Sequence, residues 1–162
     1  MLQGGIEGKR VLDLFAGTGA LGFEALSNGA QFVTFVEKNK NQAALIENNL
    51  EEFGVRDKAG VLSEDAFDAL AQLYERREIY DLIFIDPPYD QGLGLKAMET
   101  LARLPIWNAQ SLVFLECHDK ETAYDGRGAI HRAQGAINCA PTLLKTKLYG
   151  DTKILVYSFS EN

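Results

Sequence analysis

An α/β fold on a doubly wound, mostly parallel sheet is what this sequence predicts, and three features carry the expectation. Short apolar runs alternate with amphipathic helical stretches from Arg10 to Glu116. A glycine turn, Ala16-Gly17-Thr18-Gly19, follows the first apolar run directly. The last two apolar runs are joined by Gly150-Asp151, a hairpin signal. Strands that alternate with helices pair in parallel, because each crossover returns the chain to the same end of the sheet. The closing hairpin reverses direction, so the expectation is a seven-stranded sheet with its last strand antiparallel.

Each element follows from its local pattern. Arg10 to Phe15 is a strand, and Ala20 to Asn28 a helix with Leu21, Ala25 and Leu26 on one face. Phe32 to Glu37 is a second strand. Gln42 to Phe53 is a second helix, ended by Gly54 as its C-cap. Ala59 to Leu62 is a third strand, followed by a helix from Phe67 to about Arg77. Asp81 to Ile85, a helix over Leu95 to Leu104, and the strand Ser111 to Glu116 complete the alternation. Asp119 to Ala136 contains glycines and has weak periodicity, so it reads as loop with at most a short helix. Leu143 to Tyr149 and Lys153 to Phe159 are the hairpin strands. No repeat, low-complexity tract or linker divides the chain, which reads as one domain over residues 1–162.

Composition narrows the class. With 162 residues, 46% of them hydrophobic and 24% charged, the chain can bury a core without staples. No apolar stretch is long enough to span a bilayer, and the first residues lack the basic start and apolar run of a signal peptide. Cys117 and Cys139 lack metal-type spacing and read as reduced thiols of a cytoplasmic protein. His118 and His131 are the only histidines and have no ligand cluster around them, so no metal is expected. The net charge of −7 argues against strong independent binding to naked nucleic acid, since neutralising phosphates needs a basic patch. A monomer is the default.

In open α/β sheets ligands sit beyond the carboxyl ends of the strands, near the switch in strand order. The turn Phe15-Ala16-Gly17-Thr18-Gly19 lies there, and its glycines let backbone approach a ligand closely. Gly17, Gly19 and Gly22 also satisfy the spacing of a dinucleotide fingerprint. Asp13 discriminates: a carboxylate before the turn repels a pyrophosphate but can engage the ammonium of an amino-acid-bearing cofactor. Glu37, with Lys38 beside it, ends the second strand about twenty residues past Gly17, where an acid can accept both ribose hydroxyls. Its ordinary alternative is a solvated acid starting the next helix. Asp65-Ala66 follows the third strand, and the Asp65 carboxylate can receive an adenine amino group, cap the helix at Phe67, or do both.

Asp86-Pro87-Pro88-Tyr89 ends the fourth strand, beside the same switch point. Two prolines fix φ and remove two amide donors, leaving carbonyl oxygens free to accept. The exocyclic amine of a nucleobase is a poor nucleophile, because its lone pair is delocalised into the ring. Holding one N–H on Asp86 and one on the Pro87 carbonyl favours a pyramidal nitrogen aimed at a sulfonium methyl, and positioning then carries much of the catalysis. Tyr89 is placed to stack on the base. Glu116 lies on the same functional edge, with a structural role equally open to it.

With Leu12 to Gly22, Glu24-Ala25-Leu26-Ser27, Glu37, Asp65-Ala66, Asp86 to Tyr89 and Tyr149-Gly150-Asp151-Thr152 in view, the chain resembles the RsmD family of bacterial 16S rRNA guanine-N2 methyltransferases. The likeness runs over nearly the whole length, and the closing Tyr149 to Thr152 string is its most specific part. The resemblance implies a class I methyltransferase fold of Rossmann type with an antiparallel seventh strand. It also implies S-adenosyl-L-methionine as donor, and a guanine in 16S rRNA or an assembling small ribosomal subunit as substrate. Two departures stand out. Family members carry a basic N-terminal arm, whereas Met1-Leu2 starts where its helix ends, which reads as a truncated or late start. Asn28 stands where many members have arginine. Three other readings compete: an adenine-N6 DNA or RNA methyltransferase, a nicotinamide-dependent oxidoreductase, and a cofactor-binding domain inactive on RNA for want of the arm. The closing string weighs against the first, and Asp13 with the proline corner against the second.

Overall fold

A computed structural model describes residues 5–88, 91–118 and 139–161. The strands are β1 (Arg10–Asp13), β2 (Phe32–Val36), β3 (Ala59–Leu62), β4 (Tyr80–Ile85), β5 (Trp107–His118), β6 (Cys139–Tyr149) and β7 (Thr152–Glu161). The helices are α1 (Ala20–Ser27), α2 (Lys40–Glu52), α3 (Ala66–Glu75) and α4 (Leu93–Arg103). Among the described residues the strands form one sheet in the order β3-β2-β1-β4-β5-β7-β6. β1 to β5 pair in parallel, and β7 runs antiparallel to both β5 and β6. The order reverses between β1 and β4, so their carboxyl ends flank the crevice where such sheets bind ligands.

Side chains alternate across the strands and sort into two cores. One face packs Leu12, Ile83, Val113 and Tyr157 against Leu70 of α3 and Met98 of α4. The other packs Val11, Val33, Phe35 and Phe84 against Ala25 of α1 and Ile46 of α2. Asp13 shares the second face, and this alternation aims its carboxylate at the start of α1. A side chain on Gly22 would place its Cβ 2.1 Å from Cε1 of Phe35, so glycine is what lets α1 settle onto β2. Inside the sheet the Thr34 and Tyr80 hydroxyls hydrogen-bond at 2.8 Å, satisfying both buried groups.

The sequence pattern placed every described element but set several ends wrongly. α2 begins at Lys40 because the Asn39 side chain accepts from the N–H groups of Asn41 and Gln42, a cap that apolar periodicity does not reveal. β5 begins at Trp107, four residues before the expected start, since polar Asn108 to Gln110 hid its entry. β6 begins at Cys139 and carries Pro141, which an edge strand tolerates. The expected loop from Asp119 to Ala136 lies outside the described residues.

Candidate active site

The turn after β1 is built by backbone geometry. Gly17 and Gly19 have φ of 54° and 83°, in the left-handed region that favours glycine. The Gly19 N–H donates to the Ala16 carbonyl at 2.7 Å, and the Ala16 N–H to the Val36 carbonyl at 2.9 Å, so the turn is tied to β2. Gly19 is the N-cap of α1 and has no side chain to offer. Asp13 supplies the missing acceptor from the neighbouring strand: its Oδ2 takes the Gly22 N–H at 3.0 Å. Its Oδ1 is buried with no hydrogen-bond partner. Burial pushes the Asp13 carboxyl up from 3.8 to about 7; the Gly22 N–H pulls it down, and the charges of Asp86 and Glu37 add to the rise.

Glu37 is held from both sides. One oxygen accepts the Gly17 N–H at 2.8 Å and the other the Asn39 N–H at 2.7 Å. The acid therefore links the glycine turn to the cap of α2, and each oxygen retains a second lone pair toward the cleft. Asp65 is the N-cap of α3, accepting from the Phe67 N–H at 2.9 Å. The expected capping role is met, and the carboxylate remains on the cleft wall.

These residues surround one open cleft of about 640 Å³, a size typical of small-ligand sites. Its walls run from Asp13 through Phe15, Ala16, Gly17 and Thr18 to Glu37 and Lys38, then Asp65 and Ala66, and close on Asp86, Pro87 and Pro88. Gly19 does not line the cleft. It is buried behind the turn, where a Cβ would lie 2.9 Å from the Phe23 ring, so its place is structural and corrects the expectation of ligand contact. Tyr89 lies outside the described residues. Asn39, Gln42, Glu64, Phe67, Gln91 and Leu93 also line the cleft and were missed from the sequence. Only Asn39 left a signal, as a capping residue just after Glu37.

Asp86 sits half-buried at the end of β4. Burial, with the charge of Glu116 second, pushes its carboxyl from 3.8 to about 6. Near neutral pH it is mostly ionised, yet basic enough to accept strong hydrogen bonds. Among the described residues no group of three His, Cys, Asp or Glu side chains could hold a metal ion.

A family model described as conserved hypothetical protein 95 matches residues 1–158. The chain belongs to this family. It is the RsmD family that the sequence motifs resemble. Among RsmD-family relatives, the ribosomal RNA small subunit methyltransferase D of Buchnera aphidicola is 33% identical over 117 residues, 72% of this chain and 60% of that one. The methyltransferase D of Escherichia coli K12 is 29% identical over 143 residues, covering 87% and 70%. A solved structure, the putative methyltransferase yhhF from Escherichia coli, superposes with a TM-score of 0.78 at 25% identity, covering 97% of this chain and 78% of that one. The first curated relatives are matched over only 51% to 60% of their own length. The superposition agrees with the class I methyltransferase fold expected of this RsmD-family chain.

Proposed function

We propose that this RsmD-family chain transfers a methyl group from S-adenosyl-L-methionine to the exocyclic N2 amine of a guanine in 16S rRNA. The observation that carries the reading is the buried, unpartnered Oδ1 of Asp13 in the cleft whose other end is Asp86-Pro87. A buried carboxylate oxygen without a hydrogen donor is expensive to maintain unless a ligand supplies one. The donor's ammonium fits that need, and the donor set of Asp13, Glu37 and Asp65 fits its ammonium, ribose and adenine in turn.

When bound, S-adenosyl-L-methionine supplies an electrophilic methyl on a sulfonium. The chain's part is to hold and orient. Asp13 receives the ammonium, and the fixed Glu37 carboxylate receives the ribose hydroxyls. Asp86 and the Pro87 carbonyl each accept one N–H of the amine, which turns the nitrogen lone pair out of conjugation. The N–C bond forms as the S–C bond breaks, and the amine's surplus proton passes to Asp86 and on to water. Small-subunit rRNA, free or in an assembling subunit, is the partner this reading requires. The relatives' printed names as ribosomal RNA small subunit methyltransferases support it.

The test is tritiated methyl transfer to small subunits lacking the guanine mark, run beside calorimetric titration with S-adenosylhomocysteine. Asp86→Ala is expected to abolish transfer and leave S-adenosylhomocysteine affinity within a few-fold. A large loss of that affinity would move Asp86 into the donor site, and failure of the wild-type chain to bind would remove the reading altogether.

A further inference from the structure

The two central strands end alike. β4 runs out as Phe84-Ile85-Asp86 and β5 as Phe114-Leu115-Glu116. Their register sets Phe84 beside Phe114 and Ile85 beside Leu115, so Asp86 and Glu116 continue as neighbours on strands about 4.8 Å apart. Alternation puts both acids on the face that carries the phenylalanine pair, whose ring centroids are 5.6 Å apart. A second cavity, of about 130 Å³, opens on that face, walled by Leu21, Phe84, Phe114 and Ile154 and by both carboxylates. Asp86 and Leu21 line the large cleft as well, so the smaller cavity adjoins it at the residue that holds the amine.

Two carboxylates beside each other in an apolar-walled cavity repel, and the folded chain bears that repulsion. A flat ring that presents several N–H donors along one edge relieves it. Guanine offers N1–H and both hydrogens of N2 along a single edge, whereas adenine presents a bare N1 lone pair next to its amine. We propose that the smaller cavity receives the ring of the target guanine, with Glu116 accepting N1–H while Asp86 and the Pro87 carbonyl hold the N2 amine. The proposal rests on the methyltransferase reading above and extends it. Glu116 then sets base specificity: every donor on the guanine edge finds an acceptor, and adenine meets a carboxylate with a lone pair.

The experiment titrates the ¹⁵N-labelled chain, saturated with S-adenosylhomocysteine, with guanosine 5′-monophosphate. A parallel titration uses the 5′-monophosphate of 2-aminopurine riboside, which keeps the 2-amino group but has a bare N1. The guanine nucleotide is expected to shift the amide signals of Phe84 to Asp86 and Phe114 to Glu116, and to bind at least about tenfold tighter. Glu116→Gln, whose amide can donate to a bare N1, is expected to erase or invert that preference with S-adenosylhomocysteine affinity unchanged. Guanine-induced shifts elsewhere, no binding, or wild-type preference in Glu116→Gln would each overturn the assignment of Glu116. Methyl transfer by the wild-type chain to unmarked subunits is read separately. Its presence without guanine preference overturns the base cavity alone, and its absence overturns the methyltransferase reading beneath it.

Discussion

Replacing Asp13 by asparagine isolates the strongest electrostatic feature of the site. Asparagine keeps the shape and an oxygen to accept the Gly22 N–H at the start of α1, so the fold should hold while the titration disappears. In the folded chain the Asp13 carboxyl titrates near 7 rather than 3.8. Below the unfolded value both states are protonated and nothing is lost. As pH rises from about 4 toward 7 the unfolded chain releases this proton and the folded chain keeps it, so stability falls. At about 1.36 kcal/mol for each tenfold change, the full span removes roughly 4 kcal/mol by the time pH passes 7. Urea unfolding at closely spaced pH values should show this decline in the wild-type chain. The difference between wild type and Asp13→Asn removes the smaller contribution of Asp86, common to both. S-adenosylhomocysteine, which brings an ammonium to the same oxygen, should bind more tightly as pH rises, by up to tenfold per pH unit below about 7, and Asp13→Asn should flatten that slope. Identical pH dependence of unfolding in the two chains would refute the reasoning, because the buried carboxylate would then not be the titrating group.

Gly22→Ala forces a Cβ to 2.1 Å from the fully buried Phe35 ring, and should cost about 1–3 kcal/mol of stability by overpacking, read from the urea midpoint. Glu37→Ala leaves the N–H groups of Gly17 and Asn39 without their acceptor and strips the ribose contact. Calorimetry should show S-adenosylhomocysteine binding weakened by about 1–3 kcal/mol; unchanged binding would return Glu37 to a purely structural post.

Much of this was legible along the chain because the signals are local. A strand that is apolar throughout, a glycine turn and a helix in that order leave few topologies, and the proline corner marks the opposite side of the crevice by composition alone. The element ends were harder. Asn39 capping α2 and polar Asn108 to Gln110 at the start of β5 follow from hydrogen bonds and pairing, to which apolar periodicity is blind. Gly19 shows the same limit at the site. Its spacing suggested ligand contact, yet its left-handed φ serves the cap of α1 and the approach to Phe23.

The sequence by itself determined the order of strands and helices, the closing hairpin, and which residues end the strands. Those follow from side-chain periodicity and backbone stereochemistry within a few residues. Which of those strand ends meet was decided only by tertiary structure. Asp13 caps a helix nine residues away and leaves one oxygen bare, Glu37 joins two loops, and Asp86 stands beside Glu116 above a phenylalanine pair. Each of these depends on the register between strands distant in the chain. Burial then sets the charge: the same carboxyl titrates near 3.8 in water and near 7 behind the glycine turn, because low dielectric disfavours its ionised form.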